Sequence, residues 1–311
     1  MATDEDDRCR EARQFQRIDD AFRRGDLAAL RGAVDDPAVV PNGAMPLSIG
    51  PCLIYAIYHS PLAFIRTLLE IGADPKAPAD DGFPPLIAAL VTGRDVPGAT
   101  RRTDVDDVMR LLLACGADPN QRGINNYTAL HMAVAERNAL AVLRLLDAGA
   151  DPELRTRIDE CETPLEMAQA AGLTDVAALL ARRGQPLRQR LRSGLTLLTD
   201  IPGNGEPVRR QHNYRIRLRL WLNKGEPVRW SDAWQSGTAA LEDNGETLVT
   251  QVHVNRGRLI SGLFYGLDGM RVGGMRRLEI APHLAYGDRG VPGTIPANAV
   301  LTAEIAVLEA M

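Results

Sequence analysis

Cysteine and histidine, which commonly bind metals or take part in nucleophilic catalysis, are few in this sequence of 311 residues, which has four cysteines and five histidines. Its four cysteines form no C-x-x-C pair, so the spacing predicts neither a zinc site nor a disulfide framework. We interpret all of them as small buried hydrophobic residues or free thiols: Cys9, Cys52, Cys115 and Cys161. The sequence therefore predicts no metal and no cofactor.

One stretch, residues 259–301, has an order of residues too particular to follow from composition. It contains the segments Leu259-Ile260-Ser261-Gly262-Leu263, Gly266-Leu267-Asp268-Gly269-Met270, Ala285-Tyr286-Gly287 and Ile295-Pro296-Ala297-Asn298-Ala299. The stretch thus contains an isoleucine on a short helix, a Gly-Met turn, an Ala-Tyr-Gly and an Ile-Pro loop, and a closing strand follows them. The pattern resembles the signature of the FKBP-type peptidyl-prolyl isomerases, and the resemblance extends from about residue 193 to Met311.

The resemblance implies a reaction that needs no acid, base or nucleophile. Rotation about an X-Pro bond is opposed by amide resonance, a barrier of ~18–20 kcal/mol. A dry apolar pocket that binds the twisted amide best lowers this barrier, and a roughly thousandfold gain requires ~4 kcal/mol.

The family's pocket roles carry over to five residues of this sequence. Leu259 and Ile260 match the pair whose backbone N–H holds the substrate carbonyl. Tyr286 matches the tyrosine whose hydroxyl faces the ligand, and Ile295 matches the apolar lip of the following loop. Leu263 stands at the floor, where the family usually has tryptophan. These five residues form the predicted site.

Other pocket positions also depart from the family pattern. Leu218, Thr250 and Ala303 stand in place of aromatic residues, and Val228-Arg229 falls near the usual Phe-Asp pair. Together these changes enlarge the slot and reduce its aromatic walls.

The chain between Gly225 and Val252 is longer than in the commonest family form, and the added length carries Trp230 and Trp234. We hypothesise that one of these indoles folds back over the slot. The alternative is that both cover the edge of the sheet.

From Gly194 onward, the apolar spacing changes from helical to alternating. The clearest strand places five apolar residues against three arginines, which predicts a half-buried strand with one cationic face: Tyr214, Ile216, Leu218, Leu220, Leu222, Arg215, Arg217 and Arg219. A helix is predicted over 258–267, and strands over 275–280 and 301–308. Many strands and one short helix predict an α+β domain in which an antiparallel sheet wraps across that helix.

Internal repetition organises the first half of the chain. The tetrapeptide Gly-Ala-Asp-Pro begins at Gly72, Gly116 and Gly149, each time after an apolar run of helical spacing. The last two copies are 33 residues apart and the first two are 44 apart, which indicates one repeating unit with an 11-residue insertion. Glycine just past a helix favours closure of its last turn, and Asp-Pro favours a tight turn.

These repeats resemble ankyrin repeats, since Thr128-Ala129-Leu130-His131 matches their Thr-Pro-Leu-His helix start except at Ala129. We predict four repeats in an all-α solenoid, opening near Gly50, Gly82, Asn126 and Cys161, after a degenerate N-terminal cap. His131 is predicted to bond neighbouring backbone, and the isolated His59 is also interpreted as structural.

The solenoid is expected to bind a protein partner on its concave face, and the alternative is that the repeats only stack. The insertion lies within residues 92–103, contains Pro97 and Gly98, and is a candidate contact loop.

Composition and charge exclude several classes of protein. Apolar residues make up 45% and charged residues 24% of the chain, which is typical of a globular protein. A pI near 5.8 and the lack of a basic stripe with interleaved aromatic residues argue against nucleic-acid binding. No apolar run approaches the ~18 residues that span a membrane, and the acidic first residues do not resemble a secretory signal. The sequence therefore predicts a cytoplasmic protein without a membrane anchor.

Net charge is unevenly distributed between the halves. Residues 1–185 carry 20 Lys and Arg against 28 Asp and Glu, whereas residues 186–311 carry 16 against 12. The halves could attract each other, but screening beyond ~8 Å favours two separately solvated surfaces.

The predicted organisation is an ankyrin-repeat domain at 1–185, a linker at 186–193 and an FKBP-like isomerase domain at 194–311. One function that follows is a prolyl isomerase that acts on X-Pro bonds and whose repeats recruit protein clients. The alternative is a non-catalytic adaptor whose degenerate pocket binds proline-containing segments or nothing. A third hypothesis is an effector-type interaction module, which is supported only by the domain architecture.

Overall fold

A computed structural model describes residues 2–78, 82–94, 101–157, 161–230 and 239–311 of the chain. The chain divides into two compact units, Met1–Gly184 and Gln185–Met311. Within these residues, no helix has the length and apolar character that a passage through a lipid bilayer requires.

Antiparallel helix pairs build the first unit. Its described residues contain the pairs α1 (Ala2–Arg24) and α2 (Leu27–Ala33), α3 (Cys52–His59) and α4 (Leu62–Glu70), α5 (Pro85–Val91) and α6 (Val105–Ala114), α7 (Ala129–Ala135) and α8 (Ala139–Asp147), and α9 (Pro164–Ala170) and α10 (Thr174–Ala181). The first helices of successive pairs pack on each other from α3 to α9, and the second helices do so from α4 to α10. The predicted all-α solenoid of helical repeats is therefore confirmed.

The helix ends follow the local signals in the sequence. Gly72, Gly116 and Gly149 have φ of 95°, 92° and 87°, a left-handed conformation that glycine adopts without steric cost. The residue after each glycine donates its N–H back into the last helical turn, as Ala73 does to the carbonyl of Leu68 at 2.9 Å. This arrangement satisfies carbonyls that the helix end would otherwise leave without donors.

The described end of the insertion before α6 is anchored by Arg102. Its Nη1 donates to the carbonyls of Ile57 and Ser60 at 2.9 and 2.8 Å, and its Nε and Nη2 bind both carboxylate oxygens of Asp104. The guanidinium therefore supplies donors to the end of α3 in the preceding repeat. Pro97 and Gly98, on which the candidate contact loop depends, lie outside the described residues.

A single antiparallel sheet dominates the second unit. Its described strands are β1 (Gln189–Arg192), β2 (Leu195–Ile201), β3 (Asn213–Leu222), β4 (Ala240–Glu242), β5 (Thr247–His253), β6 (Met275–Ile280) and β7 (Leu301–Ala310). They lie in the order β1-β2-β6-β7-β3-β5-β4. The short helix α11 (Ser261–Gly266) packs against β6. The predicted α+β class, with a sheet and one short helix, is confirmed.

Two local predictions differ from the structure. Residues 186–193, predicted as a linker, contain β1, which pairs with β2 through the register Gln189 to Leu197. The helix predicted over 258–267 is shorter, because residues 255–258 form a turn instead. The Asn255 carboxamide oxygen accepts the N–H of Gly257 at 2.7 Å, and its carbonyl accepts the N–H of Arg258 at 3.1 Å. Asparagine bonds of this kind compete with helical backbone bonds.

The sheet has one apolar and one charged face, as the alternation along β3 predicts. Tyr214, Ile216, Leu218 and Leu220 are buried in the core cluster of the unit. On the opposite face, each of three arginines lies near a carboxylate: Arg215 with Glu309 at 3.2 Å, Arg217 with Glu242 at 3.4 Å, and Arg277 with Glu304 at 2.8 Å. The core between sheet and α11 is the place where a pocket can form.

Candidate functional site

The segment before α11 presents an unused hydrogen-bond donor. The N–H of Leu259 donates to the Asn255 carbonyl at 3.2 Å, and the Ile260 carbonyl accepts the N–H of Phe264 at 3.0 Å. Ile260 itself is extended, with φ −57° and ψ 145°. Its N–H has no acceptor among the described residues and can therefore donate to a bound carbonyl.

Two glycines one helical turn apart bring α11 close to the sheet. A Cβ on Gly262 would overlap the Ile280 side chain, and one on Gly266 would overlap the Leu278 side chain. Both contacts are on β6. Only glycine at these positions allows the helix backbone to approach the strand this closely, which fixes the distance between Ile260 and the sheet.

A buried guanidinium holds the other end of α11. Nη1 of Arg276 donates to the carbonyls of Gly266 and Asp268, each at 2.9 Å, while Nε and Nη2 bind the Asp200 carboxylate at 3.1 and 2.9 Å. These bonds join β6, β2 and the last turn of the helix. Arg276 is not among the functional residues predicted from the sequence. Arg276 alternates with residues of the strand in the same way as Leu278 and Ile280, which face inward. This spacing could have indicated a buried cation, which requires hydrogen-bond or charged partners.

The loop after β6 carries Tyr286 and Ile295 in a fixed backbone frame. The Gly290 N–H donates to the Tyr286 carbonyl at 3.1 Å, and Val291 and Ile295 exchange both backbone bonds, at 2.7 and 2.9 Å. Tyr286 is half-buried, and this burial raises the pKa of its phenol. The hydroxyl thus remains a proton donor across the physiological range.

All five predicted site residues belong to the apolar core of this unit or pack against it. Leu263 and Ile295 belong to its buried core, with 6% and 3% of their surface exposed. Leu259, Ile260 and Tyr286 are partly buried and pack against it. Ile295, predicted at the lip of the pocket, is therefore inside the wall, because the Val291–Ile295 bridge turns it inward.

Trp230 lies in the same cluster as the residues that replace the expected aromatics. The residue is 6% exposed, and its backbone N–H donates to the Gly245 carbonyl at 2.7 Å. Leu218, Val228 and Ala303 are buried members of this cluster. This placement favours the hypothesis that an indole of the longer segment restores an aromatic wall, over a position at the sheet edge. Trp234 lies outside the described residues.

The predicted site is mainly apolar. Across the described ranges, no three side chains of His, Cys, Asp or Glu come together as a metal site requires. Polar groups of the predicted site include the Ile260 N–H and the Tyr286 hydroxyl. Such a site can bind a planar or twisted amide and exclude water from it.

Family models match both units of the chain. Residues 233–308 match the model for FKBP-type peptidyl-prolyl cis-trans isomerase, and residues 98–190 match the model for ankyrin repeats in three copies.

Similar proteins bear the name FK506-binding protein. FK506-binding protein 1A of Neurospora crassa is 52% identical over 112 residues, which cover 36% of this chain and 83% of that protein. FK506-binding protein 4 of Chaetomium thermophilum is 57% identical over 58 residues, and the match covers 19% of this chain but only 12% of that protein. A protein of the same name from Gibberella zeae is 52% identical over 116 residues, with 37% and 21% covered. The chain thus spans most of one relative and a small part of the larger ones.

Proposed function

Because this chain belongs to the family of FKBP-type peptidyl-prolyl cis-trans isomerases, we propose that its second unit catalyses rotation about X-Pro bonds of protein or peptide substrates. The ankyrin repeats of the first unit bind the proteins on which it acts. A tethered binding module raises the local concentration of substrate at the pocket. The proposal is carried by the convergence of the five pocket residues on one apolar cluster beside the unused Ile260 N–H.

The geometry supports catalysis by differential binding. The pyrrolidine ring enters the apolar cluster, and the Ile260 N–H donates to a carbonyl of the peptide. Loss of water destabilises the planar, charge-separated amide more than the twisted form, in which the nitrogen lone pair is no longer conjugated. Shape and one or two hydrogen bonds can supply the ~4 kcal/mol that a roughly thousandfold gain requires.

NMR exchange spectroscopy on a short Leu-Pro peptide tests the activity directly. We expect the full chain to accelerate cis–trans exchange, and Ile260→Asp and Tyr286→Ala to reduce the gain strongly. Tyr265→Phe is the matched control, because Tyr265 lies on α11 and is assigned no pocket role. Exchange no faster than in buffer at high protein concentration would rule out the isomerase.

A second candidate function is a binding module without catalysis. The observation in its favour is the loss of aromatic side chains at Leu218, Thr250 and Ala303. The same spectra distinguish the two functions, because a pure binding module shifts and broadens peptide signals without exchange between the cis and trans resonances.

The partner of the repeats is proposed to dock on their concave face. A pull-down with the full chain, compared with variants that introduce charged residues at exposed positions of the first helices of the repeats, tests this placement. Binding unaffected by all such variants would place the partner on another surface.

A cytoplasmic location is also proposed, because all four cysteines carry free thiols, as in a reducing compartment.

A further inference from the structure

Arginines are distributed unevenly between paired and unpaired positions in the second unit. Within the described residues, eight of them lie within ion-pair distance of a carboxylate: Arg188, Arg210, Arg215, Arg217, Arg219, Arg229, Arg276 and Arg277. These contacts neutralise most of the positive charge on the sheet surfaces. The arginines outside this set therefore mark where uncompensated positive charge remains.

Three such arginines lie in the two segments that carry the pocket residues. Arg256 and Arg258 precede Leu259 and Ile260 in the turn that Asn255 stabilises, and both side chains are exposed. Arg289 is exposed in the loop between Tyr286 and Ile295. None of the three has a carboxylate partner among the described residues, and we call them the rim arginines.

Arg289 also lines a cavity that shares Ile295 with the predicted site. The cavity, of about 350 Å³, is bounded by Leu222, Val291, Ile295, Pro296 and the Arg289 side chain. An extended peptide that leaves the pocket over Ile295 passes this apolar surface and its single cation. Asp288, exposed in the same loop, offsets one of the three charges and leaves the rim positive.

We propose that the rim arginines select substrates that carry Asp or Glu on either side of the X-Pro bond. The proposal rests on the isomerase function above and names its substrate class. Arg256 and Arg258 meet carboxylates on one side of the proline, and Arg289 meets those on the other. Exposed charges of this kind contribute to orientation and encounter rate, and their effect weakens with salt.

Three peptides with the same Ala-Leu-Pro-Phe core test the proposal, flanked on both sides by Glu, Gln or Lys. Because the residue before proline is constant, differences report flanking charge alone. We expect the Glu-flanked peptide to be isomerised with a kcat/KM about three- to tenfold above that of the Gln-flanked one at low salt, and the Lys-flanked one below it. Near 1 M salt, where the screening length is ~3 Å, the difference should vanish.

Matched variants locate the effect. In Arg256→Gln/Arg258→Gln/Arg289→Gln, the ratio of Glu-flanked to Gln-flanked efficiency should fall to about one. Arg190→Gln removes another exposed arginine from β1, outside both pocket segments, and should retain the ratio. Equal efficiencies for all three peptides, or a preference that survives the triple substitution, would overturn the proposal.

Failure of this proposal and failure of the isomerase activity give different results. Titration of the same peptides into the chain, followed by NMR, measures their affinities without any requirement for catalysis. A Glu preference in affinity that disappears in the triple variant supports the role of the rim arginines even if no peptide is isomerised. Rapid isomerisation of all three peptides with equal efficiency contradicts the proposed selectivity of the rim arginines and supports the isomerase activity.

Discussion

Nη1 of Arg276 on β6 lies 2.9 Å from the carbonyl oxygen of Gly266 at the end of α11. This bond connects the sheet to the helix whose other end presents Ile260. A strand side chain therefore supplies the donor that the last turn of a six-residue helix lacks.

Removal of this guanidinium should loosen the pocket. Arg276→Met is expected to lower the free energy of unfolding by about 2–4 kcal/mol, because two carbonyls and a carboxylate lose their donors. Urea unfolding followed by tryptophan fluorescence measures it, since all three tryptophans lie in the second unit. Arg271→Met is the control, because that exposed side chain makes one backbone bond, to Gly205. Equal effects of the two substitutions would contradict the role of Arg276.

The contact between α11 and β6 should not accommodate a side chain larger than that of glycine at position 262. Gly262→Ala is expected to cost about 1–3 kcal/mol, since the added methyl overlaps Ile280 and pushes the helix away from β6. X-Pro exchange should slow with it. Gly257→Ala, whose added carbon would meet only the Asn255 side chain at 3.4 Å, should change the same fluorescence-detected stability far less.

The stability of the ankyrin unit should depend on Arg102. Arg102→Ala removes the donors to Ile57 and Ser60 and should destabilise the helices by about 2–4 kcal/mol. Far-UV circular dichroism follows this unit, because the described part of the other unit contains only one short α-helix. Arg101→Ala, an exposed neighbour, is expected to unfold like the parent chain. If it does not, the loss of stability in Arg102→Ala cannot be assigned to the hydrogen bonds of Arg102 with Ile57 and Ser60.

Acid should weaken the same unit through His131. Burial lowers the pKa of His131 below its ordinary 6.5, and Nδ1 accepts the Thr128 N–H, so the folded state holds the ring neutral. The unfolded chain binds the proton more readily, and stability is therefore complete above pH 6.5 and decreases as pH falls below it. Each pH unit in which only the unfolded chain is protonated removes up to ~1.4 kcal/mol.

Urea midpoints by circular dichroism between about pH 7.5 and 5.5 measure this loss. His131→Gln should flatten the dependence, although His59, whose pKa burial also lowers, contributes with the same sign. His212→Gln, at an exposed position of the other unit, should leave the slope unchanged. A slope that is identical in His131→Gln and the parent chain would exclude the imidazole as its source.

Thiol reactivity should divide the cysteines into two groups. Cys9, Cys115 and Cys161 are exposed and should react with a disulfide reagent in the folded chain. Cys52 is buried, and burial raises the pKa of its thiol to about 12, so it should react only on unfolding. Fewer than three reactive thiols in the native chain would contradict the exposed assignments.

Prediction from sequence succeeded where the signal is local. The glycines after each repeat helix and the alternation along β3 specify backbone conformation within a few residues, and both are present as predicted. The prediction failed at residues 186–193 because an edge strand of four exposed residues has no hydrophobic alternation to reveal it. It also missed the shortened helix start, where the Asn255 side chain competes with helical bonding.

The sequence alone determined the two repeating patterns, helical and alternating, and the order of residues that defines the family. Tertiary structure decided which distant residues meet. Arg276 pairs with Asp200, 76 positions away, and Trp230 enters the core beside the replaced aromatics. The physical reason is the distance along the chain over which each interaction acts. Backbone conformation is governed by neighbouring residues, whereas the partners of a buried side chain are set by strand order and register, which bring remote segments together.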